Sequence, residues 1–261
     1  MTTVHDEAPT AAPPKPHRAA WLIGGGVFTG LVLLLALTVV GVRVWAASVP
    51  EETASHTETY PQTVTGVDLD IDIGTMHLTG GDGDLRVRLD KTWTGTEPQA
   101  HQELSDAGVL EARAECRDDL LFWTVQSRCE TDYSVEVPSG ADTVVRADVG
   151  EIVIDGLEGR LHVASSVAGI SAQHLRTTGT SIESDVGEIE LSFDEVLGDI
   201  DVTAEFGDVT ILVPDDGTTY DVRIDTELGE GLVHIDTDPV DPDHVITVTA
   251  DIGEVAIRYA P

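Results

Sequence analysis

Two sets of carboxylates recur at fixed positions around glycine in the second half of the 261-residue chain. Asp148, Asp185, Glu205, Glu227 and Asp251 each lie two residues before a glycine, and Glu151, Glu188, Asp208, Glu230 and Glu254 each follow one directly. If the units that carry them stack, each set becomes a ladder with neighbours about 4.8 Å apart. Oxygen-rich arrays of this kind suit Ca²⁺. Like charges at that spacing repel by about 1 kcal/mol per neighbouring pair in water. The ladders are therefore expected either to hold cations or a cationic partner, or to be solvated outer faces that keep sheet edges apart.

Other constellations are weaker. Polysaccharide lyases also use solenoids with acidic faces, which makes Asp185, Glu188 and Asp208 a catalytic alternative, but no Lys or Arg base accompanies them on that face. Gly80-Gly81-Asp82-Gly83-Asp84 fits the calcium-roll pattern once, without the tandem nonapeptides that define such rolls. Asp238-Pro239-Val240-Asp241-Pro242-Asp243 lacks EF-hand spacing and reads as a rigid acidic loop. The chain has no His-Glu-x-x-His, Gly-x-Ser-x-Gly or Walker-type motif. A non-enzymatic protein is expected. Cys116 and Cys129 flank the apolar stretch 120–125, and neither belongs to a Cys-x-x-Cys motif. A disulfide across the base of a hairpin, stabilising by roughly 3 kcal/mol, is the expected role.

These residues sit in a repeat. The unit reads acidic, apolar, Gly, acidic, apolar at Asp148–Ile152, Asp185–Ile189, Glu205–Val209 and Asp251–Val255, with a relative at Asp72–Met76. Two degenerate copies, at 166–170 and 227–231, match if Ala168 and one glycine are insertions, which places corner glycines at 150, 169, 187, 207, 229 and 253. Intervals of about 20 residues signal stacked repeats. Alternation of period two surrounds each glycine, so each unit is a strand, a glycine corner and a second strand. Ile200, Val202, Ala204 and Phe206 are expected to share the buried face, as are Ile246, Val248, Ala250 and Ile252. A small residue precedes each glycine by three: Ala147, Ser184, Ala204, Thr226 and Ala250, with Ser165 in the degenerate copy. The fold expected is all-β: a β-solenoid of stacked rungs, parallel β-helix-like and winding in one direction, with an antiparallel β-sandwich as the alternative.

The 24 residues from Ala19 to Val42 carry no charge and are long enough to span a bilayer as one transmembrane helix. Lys15 and Arg18 before it, against Arg43 after it, favour a cytoplasmic N-terminus. A cleaved signal peptide ending near Val44-Trp45-Ala46 is the competing reading. The expected organisation is a cytoplasmic tail at 1–18, the helix at 19–42, a stalk at 43–63, an N-terminal β region at 64–140 and repeats at 141–261. The cysteine pair fits an oxidising space outside the plasma membrane. A net charge of −34 excludes nucleic acid as a partner.

The helix, the cysteine pair followed by Asp132-Tyr133-Ser134-Val135-Glu136-Val137-Pro138, and the recurring Val-Gly-Glu-Ile and Gly-Asp-Val blocks resemble a bacterial putative-adhesin family with β-strand repeats, a membrane-anchored domain of unknown function. The resemblance covers roughly residues 64–258 and is strongest from Asp132 to Val213. It implies a β-solenoid-like extracytoplasmic domain and a role in adhesion or cell-envelope interaction, with an envelope glycan or a surface protein as partner. It supplies no catalytic residues, and the acidic corners depart from the family's neutral ones. The alternatives are a sensory or regulatory ectodomain paired with another membrane protein, and a carbohydrate-active enzyme on a solenoid.

Overall fold

The computed structural model describes residues 28–41, 50–61, 63–116 and 128–261. The chain divides into two units, Met1–Val49 and Pro50–Pro261.

In the first unit residues 28–41 form the helix α1. Fourteen residues rise roughly 21 Å, short of a hydrocarbon core of about 30 Å. Among the described residues no helix is long and apolar enough to cross a membrane. The expected span at 19–42 runs past both ends of α1, and the tail at 1–18 and the apolar stretch 120–125 lie outside the described residues.

The second unit is all-β, and its fifteen described strands join one open sheet. β1 (Glu52–Tyr60), β2 (Gly66–Gly81), β3 (Leu85–Trp93), β4 (Gln99–Leu104), β5 (Val109–Glu115) and β6 (Cys129–Pro138) form its N-terminal part. Here β1 pairs antiparallel with β3, β3 with β6, and β4 with β5. Residues 52–60 of the expected stalk are thus a sheet strand, which their Thr content favours. The disulfide is formed, with Cα atoms 5.9 Å apart. It joins the ends of two strands that each pair parallel with β2, where a hairpin of mutually paired strands was expected.

From β2 onward a solenoid-like repeat of parallel strands takes over. β7 (Asp142–Asp155) pairs with β2 across the expected boundary at 140, and β8 (Glu158–Val186) pairs with β7. β9 (Ile189–Phe193), β10 (Ile200–Phe206), β11 (Val209–Val213), β12 (Tyr220–Leu228), β13 (Gly231–His234), β14 (His244–Ile252) and β15 (Val255–Tyr259) continue it. Each level has two limbs whose inward residues stack. In the first limb Leu69, Val145, Val163, Ile182, Val202 and Val248 are at most 1% exposed. In the second, Ile152, Ile170, Ile189, Val209 and Val255 stack likewise and are at most 2% exposed.

Spatial order departs from chain order at the end. β14 pairs with β10 on one side and β12 on the other, while β15 lies between β11 and β13. The chain lays down its edge rung first and returns to fill the gap, so winding in one direction is overturned. The reason is visible in composition. Ile246, Val248, Ala250, Val255 and Ile257 need neighbours on both sides, whereas β12 carries Arg223, Asp225 and Glu227 and tolerates an open edge. The returning loop is held by Asp238, whose Oδ1 accepts from the backbone N–H of Val240 at 3.0 Å and of Asp241 at 3.2 Å.

Candidate binding surface

The corners stack directly on one another. A side chain at Gly207 would sit 1.9 Å from the carbonyl oxygen of Gly187, and Gly207 has φ 144°. Only glycine fits both constraints. The register sets Gly74 beside Gly150 and Gly150 beside Ala168, so the level expected to turn at Gly169 turns at Ala168, with no insertion. Gly169 fills the slot of Glu151 instead. The other degenerate copy also has no insertion: Gly231 faces Val255 and replaces an apolar residue at the sheet end. The small-residue column is in register through Ala147, Ser165, Ser184, Ala204, Ala250 and Thr226.

Strand alternation breaks one residue before each corner glycine. Glu205 and Phe206 both face out, as do Asp251 and Ile252, and the inward pattern resumes at Val209 and Val255. Phe206 is 48% exposed and Ile252 42%, which corrects their expected place in the core. Their equivalents behave alike: Ile73, Val149, Val167, Val186 and Leu228 are all exposed. Ile73 pairs with Val149, Val149 with Val167, Phe206 with Val186 and Ile252, and Ile252 with Leu228. The offset that pairs Ile170 with Ile189 sets Val167 beside Val186. A continuous apolar ridge therefore runs along the outside of the corner. Sequence reasoning had the acidic–apolar–glycine pattern but placed its apolar member inside.

The ten carboxylates of the expected ladders are all exposed. Asp148, Asp185, Glu205, Asp251 and Glu227 line one side of the ridge, and Glu151, Glu188, Asp208, Glu254 and Glu230 line the other. Ser166 and Gly169 interrupt the columns at one level. Two aspartates also brace neighbouring strands beside the corners. Asp208 Oδ1 accepts from the N–H of Glu254 at 2.8 Å, and Asp132 Oδ1 from the N–H of Thr75 at 2.8 Å.

Cations are spent elsewhere. Arg146 pairs with Asp68, Arg113 with Asp70, Arg160 with Asp142, Arg86 with Glu136 and Arg176 with Glu195. Among the described residues none of the ion pairs reaches the corner carboxylates, and no group of three or more His, Cys, Asp or Glu could hold a metal ion. Asp185 and Glu188 stand on opposite sides of the ridge from one another. In the calcium-roll look-alike, Gly80 packs against the Gly156 carbonyl, 2.0 Å from where a Cβ would sit, and Asp82 accepts from Ser139 Oγ at 2.8 Å, which gives that stretch a structural role.

The family model described as Toastrack DUF4097 matches residues 71–257. No curated protein matches the sequence. Among solved structures, a putative cell adhesion protein from Clostridium sporogenes is 15% identical, with 80% of this chain and 100% of that chain covered and a TM-score of 0.47. A putative adhesin from Bacteroides fragilis is 14% identical over 78% and 97% of the two chains, with a TM-score of 0.46. A putative lipid binding protein from Parabacteroides distasonis is 10% identical over 79% and 97%, with a TM-score of 0.30.

Proposed function

We propose a binding role, not a catalytic one, for this chain, which belongs to the Toastrack DUF4097 family. In this reading it is a single-pass protein of the plasma membrane. The helix at 19–42 anchors it, and a β-solenoid domain stands outside the membrane for adhesion or cell-envelope interaction. The observation that carries the reading is an exposed apolar residue before the corner on every parallel level in register, flanked on most levels by acidic residues. Repetition of this kind builds an extended surface for multiple equivalent contacts. The uncharged run from Ala19 to Val42 and the formed disulfide support the anchored, extracytoplasmic placement.

Crosslinking and pull-down from intact cells test it. The reading expects a surface partner covalently captured by the full-length chain and reduced cell adhesion when the gene is deleted. Absence of any captured partner, together with unchanged adhesion, would sink it.

A further inference from the structure

We propose that the corner ridge docks a basic amphipathic polypeptide segment, a claim that rests on the binding role and names the partner's chemistry. The ridge consists of Ile73, Val149, Val167, Val186, Phe206, Ile252 and Leu228, each between 41% and 65% exposed. At about 4.8 Å per level it runs roughly 30 Å. Contiguous exposed apolar surface rimmed by polar groups marks interaction sites, whereas scattered apolar residues do not. Here the apolar side chains are contiguous by strand register and the rim carries one sign of charge.

Charge complementarity selects the occupant. A partner on the ridge must offer apolar side chains along its centre and Lys or Arg on both flanks. An amphipathic helix lying along the stack does so, because its turns advance 5.4 Å, close to the interval between levels. An anionic bilayer surface is repelled by the acidic rims. A second copy of this chain meets them with its own rims, carboxylate against carboxylate. Desolvated contact along the ridge supplies the affinity, and the carboxylate columns supply orientation and a salt-dependent association rate.

The test uses the full-length chain in neutral detergent and three labelled helical peptides: a Leu/Lys amphipath, a scrambled Leu/Lys peptide of equal charge, and a Leu/Glu amphipath. Fluorescence anisotropy is expected to show the Leu/Lys amphipath binding at least tenfold more tightly than the scrambled peptide, and the Leu/Glu amphipath not binding. Val186→Ser with Phe206→Ser is expected to abolish the preference for the amphipath while leaving the weak charge-driven binding of the scrambled peptide. Leu228→Ser, at the open edge where packing is least, is expected to reduce the preference without lowering the melting temperature. This second variant covers the case in which the first fails to fold. Neutralising the rim with Asp185→Asn, Glu188→Gln and Glu205→Gln is expected to weaken binding and flatten its salt dependence.

Equal binding of the amphipathic and scrambled peptides by the wild-type chain, an unchanged preference in folded ridge variants, or tighter binding to phosphatidylglycerol vesicles than to the peptide would each overturn the proposal. Equal crosslinking of wild-type and ridge-variant chains on cells would overturn the ridge and leave the binding role standing. Failure of the wild-type chain to crosslink at all, together with unchanged adhesion on deletion, would overturn that role first.

Discussion

Ser165 Oγ donates to Ser184 Oγ at 3.1 Å in the buried small-residue column, joining two levels of the same long strand. Each hydroxyl's partner is the other, and their neighbours in the column, Ala147 and Ala204, offer no replacement hydroxyl. Removing one partner leaves a buried hydroxyl without its bond, at a cost of about 1–3 kcal/mol, whereas replacing both leaves nothing unsatisfied. Ser165→Ala and Ser184→Ala are each expected to destabilise by that amount in urea unfolding. The double variant is expected to cost less than the sum of the two. Additive costs would show that the pair is not a coupled unit.

The corner makes a sharper test of register. At Gly207 a methyl group would lie 1.9 Å from a neighbouring backbone oxygen at φ 144°, so Gly207→Ala is expected to cost about 3 kcal/mol or more. At Gly169 a methyl group meets nothing within 4 Å and φ is not positive. Gly169→Ala is expected to be neutral or stabilising by up to about 1 kcal/mol. Equal destabilisation of the two variants would return the corner to Gly169.

The contrast between those two glycines shows what was legible in the sequence. The column of small residues and the alternation around each corner are local, so strands, corners and stacking follow from residue type. Matching the degenerate copy by glycine identity put its corner one residue too late. The better signal was Ser165, which lies three residues before Ala168. Phe206 and Ile252 were assigned inward because simple alternation was carried up to the glycine, and a break in alternation leaves no mark in composition. The exchange of the last two levels was hidden because every level presents the same edge to its neighbours. Only the charge of β12 against the apolar content of β14 hints at which one belongs at the end.

The carboxylate columns predict a dependence on ionic strength. Exposed like charges about 4.8 Å apart repel, and salt screens them. Raising NaCl from about 0.05 M to about 0.5 M is expected to raise the melting temperature. Ca²⁺ at matched ionic strength is expected to shift it by the same amount, since among the described residues no cluster that could hold a metal forms. A larger shift with Ca²⁺, lost in Glu188→Gln, would establish a cation site in the ladders.

The Cys116–Cys129 bond constrains the unfolded chain across a sequence separation of 13. Cys116→Ser with Cys129→Ser is expected to lower stability by about 3 kcal/mol in the chain-entropy view. Denaturant unfolding with and without reductant measures it. The wild-type chain under reducing conditions is expected to match the double variant, and a stability unchanged by reductant would show the bond to be energetically idle.

Two exposed pairs set opposing pH limits. Arg160 donates to Asp142 from Nη2 at 2.7 Å and from Nε at 3.2 Å, and this hydrogen bonding, with attraction between the charges, holds the Asp142 carboxyl below its ordinary value of 3.8. A depressed carboxyl contributes stability above its unfolded value, and that contribution is lost as pH falls through the folded value. His174 Nδ1 lies 2.7 Å from Asp155 Oδ1, and that hydrogen bond first, then the charges of Asp155 and Asp194, raises the imidazole above its ordinary 6.5. Its contribution is complete below 6.5 and disappears as pH rises through the folded value. Both contributions are therefore complete together between about pH 4 and about pH 6.5, and each pair persists beyond its limit until pH passes the shifted folded value. Because His174 and Arg160 are exposed, the effect on unfolding is small, and the titration itself is the better readout. The His174 ring proton is expected to titrate above 6.5 by NMR and to return toward that value in Asp155→Asn, with Asp194→Asn producing a smaller shift. An unshifted midpoint in the wild-type chain would show that the pair does not persist in solution.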